Sequence, residues 1–167
     1  MAIRERITDY SKGDGLCRFW ALFRRRERCK VKLLSDILTF RLNRMAHRHG
    51  GYIGRGAVID GVPSLPHGLH GIYISRYAEI GAGCRIYQNV TIGEVRRLAP
   101  KIGKNCLIGA GAVIIGGIRI GDNVKIGAGT VVRTDIPDNS TVVSPPPLIM
   151  EKEAIPYACN ENPVTAP

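Results

Sequence analysis

IGAGAVIIGGIRIGDNVKIGAGTVV, running from Ile108 to Val132, is the stretch that decides the fold. Within it Ile108, Ile114, Ile120, Ile126 and Val132 recur at every sixth residue, and the same register reaches back to Ile102. An earlier run, Ile74, Ile80, Ile86 and Ile92, keeps the same step, preceded by the pair Ile53 and Ile59. Four residues after each aliphatic stands a small or β-branched side chain: Ala78, Cys84 and Val90, then Cys106, Ala112, Ile118, Val124, Thr130 and Ile136. An α-helix cannot hold this pattern, because six residues rotate it about 600°, far from a whole number of turns. A short strand, a turn and another short strand can. Three such units close one coil of a triangular solenoid with the aliphatics pointing inward. Glycine follows the aliphatic at Gly54, Gly81, Gly93, Gly103, Gly109, Gly121 and Gly127, which places it where the backbone is expected to bend through strained dihedrals.

Two interruptions break the register. From Ile92 to Ile102 the step is ten rather than six, so Glu94–Pro100 is expected to bulge from a turn as a loop. Asp60–His70 (DGVPSLPHGLH) is a second extrusion, and loops carried on a rigid scaffold are where ligands usually bind. The period is expected to end past Ile136, at Pro137-Asp138-Asn139, with an extended tail from Pro145-Pro146-Pro147. Ahead of the repeats, Leu16 to about Arg48 reads as helical. Phe19, Trp20, Leu22 and Phe23 cluster, and Leu34, Ile37, Leu38, Leu42 and Met45 follow three- and four-residue steps. The run Arg24–Arg28 separates the two groups, Ser35 and Asp36 are cap candidates, and Gly50-Gly51 closes the segment. The division is residues 1–50 as a basic helical arm, 51–143 as the solenoid and 144–167 as the tail.

Charge and glycine divide the chain in the same place. Residues 1–50 hold 13 basic and 5 acidic residues, net +8, whereas 51–167 hold 11 and 9, net +2. Of the 20 glycines, 17 lie between Gly51 and Gly129. The five cysteines show no CxxC spacing, so neither a disulfide framework nor a zinc site is indicated. The start MAIRERITDYSKGDG carries no apolar signal core and no apolar run approaches the roughly 20 residues that span a bilayer, which makes a cytoplasmic protein the expectation. The basic arm has two compatible readings. It caps the open first coil, whose strand edges would otherwise pair with other chains, or it contacts an acidic membrane surface through Arg24–Arg28 and Lys30–Lys32. Nucleic acid is disfavoured, because the body lacks a basic-aromatic surface pattern.

With its flanking PKIG and QNVTIG, the stretch resembles the hexapeptide-repeat acyltransferases. Through the string LPHG…GIYIS…QNVTIG it is most similar to serine acetyltransferase and to shorter relatives that acetylate surface polysaccharides. The match runs from about Ile53 to Val143. The resemblance implies a left-handed parallel β-helix, a homotrimer with active sites shared between subunits, and acetyl-CoA as donor. It implies no metal.

Acyl transfer to a hydroxyl needs a base, and imidazole suits neutral pH. The family places a histidine just before a strand that corresponds here to Gly71-Ile72-Tyr73-Ile74, which makes His67 and His70 the candidates; the PHGL-x-GI pattern of the shorter relatives favours His67. Strict alignment to the longer enzymes puts Gly68 opposite their histidine. Their orienting aspartate falls on Ala46 and is absent. Asp60 is the nearest alternative, although Asp-Gly also reads simply as a turn, so a backbone carbonyl is the expected partner of His67. For the cofactor, Gly109-Ala110-Gly111 and Gly127-Ala128-Gly129 stand one coil apart and leave an open track for the pantetheine arm. Lys125 matches a lysine of the family's CoA site, and Lys104, Arg119 and Arg133 are further candidates for the phosphates. The insertion loop is shorter than in serine acetyltransferases, with Ala99 where they carry a substrate-contacting histidine, and the arm replaces their long helical domain. Both departures favour a sugar hydroxyl as acceptor, with serine as the alternative. A non-catalytic assembly module and a zinc enzyme of the carbonic anhydrase kind are the readings from other classes.

Overall fold

The computed structural model describes residues 16–150. Two helices, α1 (Cys17–Arg28) and α2 (Lys32–Arg48), precede thirteen short strands: β1 (Tyr52–Ile53), β2 (Val58–Ile59), β3 (Tyr73–Ile74), β4 (Glu79–Ile80), β5 (Arg85–Ile86), β6 (Thr91–Gly93), β7 (Lys101–Ile102), β8 (Leu107–Ile108), β9 (Val113–Ile115), β10 (Arg119–Ile120), β11 (Lys125–Ile126), β12 (Val131–Val132) and β13 (Thr141–Val142). The strands form three parallel sheets, β1-β3-β6-β9-β12 in sheet A, β2-β4-β7-β10 in sheet B and β5-β8-β11-β13 in sheet C. They are the three sides of the expected left-handed parallel β-helix, of about four turns. Pairing keeps identical repeat positions in register: Ile74 on Ile92 on Ile114, Ile80 on Ile102, Ile86 on Ile108. Each strand is only two or three residues long because the next residue must already turn the corner. Its second residue faces inward, so Ile74, Ile86, Ile92, Ile108, Ile114, Ile120 and Ile126 are all at most 2% exposed. Burial of one such side chain contributes about 1.5–3 kcal/mol, which makes this ladder the main source of stability.

The corners use two backbone devices, and only one follows the sequence expectation. Glycines directly after the inward aliphatic do not have left-handed dihedrals; at Gly54, Gly81, Gly103, Gly109 and Gly121 the next coil passes too close for a Cβ, which at Gly109 would lie 2.6 Å from Ala128 N. The left-handed residues come two positions later and are glycine or asparagine, such as Gly111 (φ 68°), Gly129 (φ 67°), Asn105 (φ 55°) and Asn123 (φ 57°). Asparagine tolerates this region through its short polar side chain. Here the amides also stack: Asn105 Nδ2 donates to Asn123 Oδ1 (3.4 Å) and Asn123 Nδ2 to Asn139 Oδ1 (3.0 Å).

The repeat does not stop at Pro137-Asp138-Asn139. Ile136 bridges Ile120, and β13 (Thr141–Val142) pairs with β11, so this proline segment is one more corner. Proline is accommodated there because a corner residue need not donate to a strand ladder. Residues 144–150 carry no regular structure, and the remainder of the expected tail lies outside the described residues.

The helices close the first coil. Phe19, Trp20 and Phe23 pack edge-to-face and stacked, with centroids 5.3–6.4 Å apart, and join the same core cluster as Leu42, Ala46, Ile53 and Ile59. The run Arg24–Arg28 does not separate the helices; it forms the last turns of α1, where cations complement the dipole, and the break falls at Cys29–Val31. Its arginines diverge. Arg24 Nη1 donates to Ile59 O (3.0 Å) and Nη2 to Gly61 O, occupying carbonyls at the open edge of the first coil, and Arg24 also pairs with Glu27 (2.9 Å). Arg26 is buried over the Phe23 ring, 4.4 Å from its centroid, and this burial pushes its guanidinium below the usual range. Ser35 and Asp36 are not caps. They lie inside α2, where both bind Arg55 of the first coil. Gly50 (φ 63°) ends α2 as expected, in a Schellman turn with Gly51 N–H donating to Ala46 O and Gly50 N–H to His47 O, both at 3.0 Å.

Cys84 and Cys106 stack in the interior, fully enclosed, with thiols donating to Gly103 O (3.2 Å) and Gly121 O (3.1 Å). The hydrogen bond with Cys106, together with burial, pushes the Cys84 thiol up. In native protein at pH 8, alkylation followed by peptide mapping therefore modifies exposed Cys17 and leaves Cys84 and Cys106 unreacted until denaturant is added.

Candidate functional site

The corner that leads from sheet C to sheet A gathers most of the sequence candidates in one column. At its base is the 60–70 excursion, which first adds Ser64 to sheet C opposite Arg85 and then bulges through Leu65–Gly71. Gly68 (φ 62°) and Gly71 (φ 65°) make that bulge possible, because a Cβ at Gly71 would also collide with the Asn89 side chain. The coils above supply Tyr87-Gln88-Asn89, Gly109-Ala110-Gly111 and Gly127-Ala128-Gly129. Corner hydrogen bonds tie the column together: Asn89 N–H to His70 O (2.9 Å), Gly111 N–H to Gln88 O (2.9 Å) and Gly129 N–H to Ala110 O (2.8 Å).

His67 lies exposed on the bulge, with its ring 5.9 Å from that of Tyr87. The ring rests against this aromatic neighbour rather than on the expected carbonyl. His70 is also exposed but turns the other way, meeting the His49 ring edge-on at 5.4 Å. His49 is the C-cap of α2, so the arm reaches the site directly, although the sequence division set it apart. Asp60 does not join either histidine. It follows β2 at the corner between sheets B and C, its N–H donating to Ile80 O (2.9 Å) in line with Gly81 and Gly103 above, and it opens onto sheet B beside Glu79, Lys101 and Arg119.

The upper column is open as well as small. A Cβ at Gly129 would meet nothing within 4 Å, and one at Gly111 only Gly129 N at 4.0 Å. Lys125 projects from β11 on the adjoining sheet C, exposed and two residues before Gly127. Arg119 stands on sheet B and Arg133 at the corner after sheet A, on other sides of the prism from Lys125, whereas Lys104 occupies the corner between sheets B and C. Gln88 Oε1 is enclosed in this column and accepts no hydrogen bond among the described residues; Thr130 Oγ1, one coil step above Ala112, is likewise unsatisfied. Such an acceptor is a ready contact for an amide N–H of an extended ligand. Sequence reasoning passed over Tyr87 and Gln88. The available signal was their position: they replace the Gly-Ala of the coils above at the same step after the inward aliphatic.

The insertion loop occupies a different edge, between sheets A and B. Val95 and Leu98 bridge as a hairpin whose central Arg96 (φ 52°) and Arg97 (φ 68°) are both left-handed, a tight two-residue turn. Leu98 lies over Gly117, where a Cβ would come within 2.8 Å of Leu98 Cβ, and the buried Ala99 returns the chain to β7. No group of three or more His, Cys, Asp or Glu side chains suited to a metal exists among the described residues, nor is any described helix long and apolar enough to cross a membrane.

Comparison with known proteins agrees with this geometry. Residues 99–134 match the family model described as bacterial transferase hexapeptide (six repeats). Over 159 residues the chain is 35% identical to a serine acetyltransferase of Staphylococcus xylosus, covering 89% of this chain and 68% of that protein. Among solved structures, the serine acetyltransferase of Neisseria gonorrhoeae in complex with serine superposes with a TM-score of 0.61 at 39% identity, over 69% of this chain and 47% of the other. That of Brucella abortus in complex with coenzyme A gives 0.61 at 32%, over 67% and 46%. The chain thus spans a little under half the length of these solved structures.

Proposed function

Since the chain belongs to the serine acetyltransferase family of hexapeptide-repeat transferases, we propose that it moves an acetyl group from acetyl-CoA to the hydroxyl of a small acceptor, with serine as the first candidate. The observation that carries this reading is the column itself, an exposed histidine at the base of an open Gly-Ala-Gly track one corner wide. The track fits an extended amide chain. Backbone groups at Gly109–Gly111 and Gly127–Gly129 and the orphan acceptor Gln88 Oε1 would line the arm, and Lys125 would meet phosphate.

Acetyl-CoA supplies an activated thioester carbonyl. His67 accepts the hydroxyl proton as the acceptor oxygen attacks that carbonyl, and returns it to the departing sulfur, so no covalent bond to the protein is needed. Of the corner N–H groups, those of Gln88, Ala110 and Ala128 donate to no carbonyl among the described residues and are the available oxyanion donors. Tyr87 restricts the ring from one side. His70 is the lesser candidate because its ring is engaged with His49.

The names of the relatives favour serine. One feature favours a sugar hydroxyl instead: the insertion ends in buried Ala99, and its charged side chains are Arg96, Arg97 and a Glu94 that accepts from Ser75 Oγ, so the loop offers no imidazole to an acceptor. We read the assembly as a homotrimer, because the insertion and His67 stand on different edges of the prism and would face each other only across neighbouring chains.

The deciding experiment incubates the purified chain with acetyl-CoA and either serine or a panel of sugars and oligosaccharides, and follows CoA release by chromatography. Release that depends on serine is the expected result; release only with sugars transfers the assignment to the second reading. Saturating CoA alone is expected to stabilise the fold by about 2.7 kcal/mol at a hundredfold excess over its dissociation constant. No stabilisation and no transfer to any acceptor would leave a non-catalytic solenoid.

A further inference from the structure

The second helix is apolar on two opposite sides. Leu38, Leu42 and Ala46 face the core, while Leu33, Ile37 and Phe40 fall on the reverse face at helical spacing and are 71%, 50% and 67% exposed. Val31, at the tip of the helical hairpin, adds a further exposed apolar side chain. Beyond Phe40 this outer face turns basic, with Arg41, Arg44 and Arg48 all exposed, and Lys30 and Lys32 flank its start. Between the helices lies a groove of about 400 Å³ lined by Arg24, Arg25, Arg28 and Leu34. The two acids of the described hairpin do not offset this charge from outside, since Glu27 is paired with Arg24 and Asp36 with Arg55.

From this arrangement we infer that the helical hairpin docks onto an anionic lipid surface, with Leu33, Ile37 and Phe40 entering the interface and Arg25 and Arg28 taking headgroup phosphates. Apolar side chains ringed by cations match a bilayer surface, which offers hydrocarbon beneath phosphate. A second copy of the chain is a poorer occupant, because two hairpins of the same strong positive charge repel. Nucleic acid is poorer still, since Phe40 is the one aromatic side chain of this face on which a base could stack. Of the run Arg24–Arg28, only Arg25 and Arg28 are free for this role. Arg24 is spent on the strand edge of the first coil and Arg26 is buried on Phe23.

The test is co-sedimentation of the full-length chain with vesicles of phosphatidylcholine alone or containing about 30 mol% phosphatidylglycerol, with light scattering on the unbound protein. Partitioning is expected to be at least about tenfold stronger on the anionic vesicles and to fall by a similar factor in high salt. Arg25→Glu with Arg28→Glu, and separately Leu33→Asp with Phe40→Asp, are each expected to lower it about tenfold with the melting temperature unchanged. Ile37→Asn serves in place of the second pair if that variant melts early. Failure of the wild type to sediment with anionic vesicles overturns the inference. So does wild-type binding by the Leu33/Phe40 variant, which would mean adsorption by charge alone. A change in molar mass on that substitution overturns it too, by making the face a contact between copies.

Discussion

Replacing His67 with alanine lowers turnover by about 10²- to 10⁴-fold while leaving the melting temperature within a degree or two of wild type. The two halves of this expectation have separate causes. The activity loss follows from removing the one imidazole of the open column that is not engaged with another histidine. The stability is preserved because His67 sits exposed at the crest of the Leu65–Gly71 bulge, outside the inward ladder, and its ring touches only Tyr87 among the described residues. Measured kcat with saturating acetyl-CoA and acceptor, beside a thermal melt, checks both. His70→Ala is the necessary companion. If it abolishes turnover and His67→Ala does not, the base is the histidine that faces His49. Retention of full activity in both variants would remove imidazole catalysis from the account altogether.

Gly103→Ala is expected to be among the damaging single methyls in the solenoid, costing about 3 kcal/mol. The dihedrals of Gly103 are open to alanine, so the penalty is purely one of space. A Cβ there would lie 2.6 Å from Gly121 O, 2.7 Å from Gly121 C and 2.3 Å from the Asp122 carboxylate. The carboxylate could swing away; the backbone of the next coil cannot. The spacing of the coils is held on both sides by Gly103 N–H to Ile120 O and Lys101 N–H to Ile118 O, each 2.9 Å. A lowering of the melting temperature by roughly 6–12 °C would accompany that loss in a chain of this size. Gly129→Ala supplies the contrast. Nothing stands within 4 Å of its Cβ, but φ is 67°, so it costs about 1–2 kcal/mol through conformation alone, and Gly129→Asn costs less. Equal melting of Gly103→Ala and Gly129→Ala would refute the steric distinction.

The glycines also show how far the repeat could be read in advance. Their six-residue spacing marks the corners, but strained dihedrals are not what requires glycine directly after the aliphatic. The glycines after Ile53, Ile80, Ile102, Ile108 and Ile120 are demanded by the neighbouring coil, a contact with residues one coil further along the chain that no local pattern displays. The left-handed position was present in the sequence as a glycine-or-asparagine alternation two places later, and only the dihedrals single it out. Pro137 misled for a related reason. A proline reads locally as a stop, but a corner that donates no strand hydrogen bond can hold one, so the solenoid continues to Val142.

The candidate site divides in the same way. Residues that differ from their neighbours in chemical type, His67 and His70 in a body with two histidines, were visible as letters. Lys125, one of eleven basic residues in 51–167, was singled out by the resemblance alone, and the small Gly-Ala-Gly steps by the eighteen-residue offset that places them one above the other. Tyr87, Gln88 and His49 were not visible, since each matters only for what lies beside it one coil away or across the arm. Asp60 and the arginines of Arg24–Arg28 show the converse, as equivalent letters sent to different tasks by burial and by which corner they occupy. Composition and period alone therefore settled the β-helix, its inward ladder and its chemical inventory, because a strand-turn repeat is a local property of the chain. Which histidine faces the open track, which arginines remain free and where the excursions converge depended on the stacking of coils. That stacking is a sum of non-local contacts, so only the folded chain decides it.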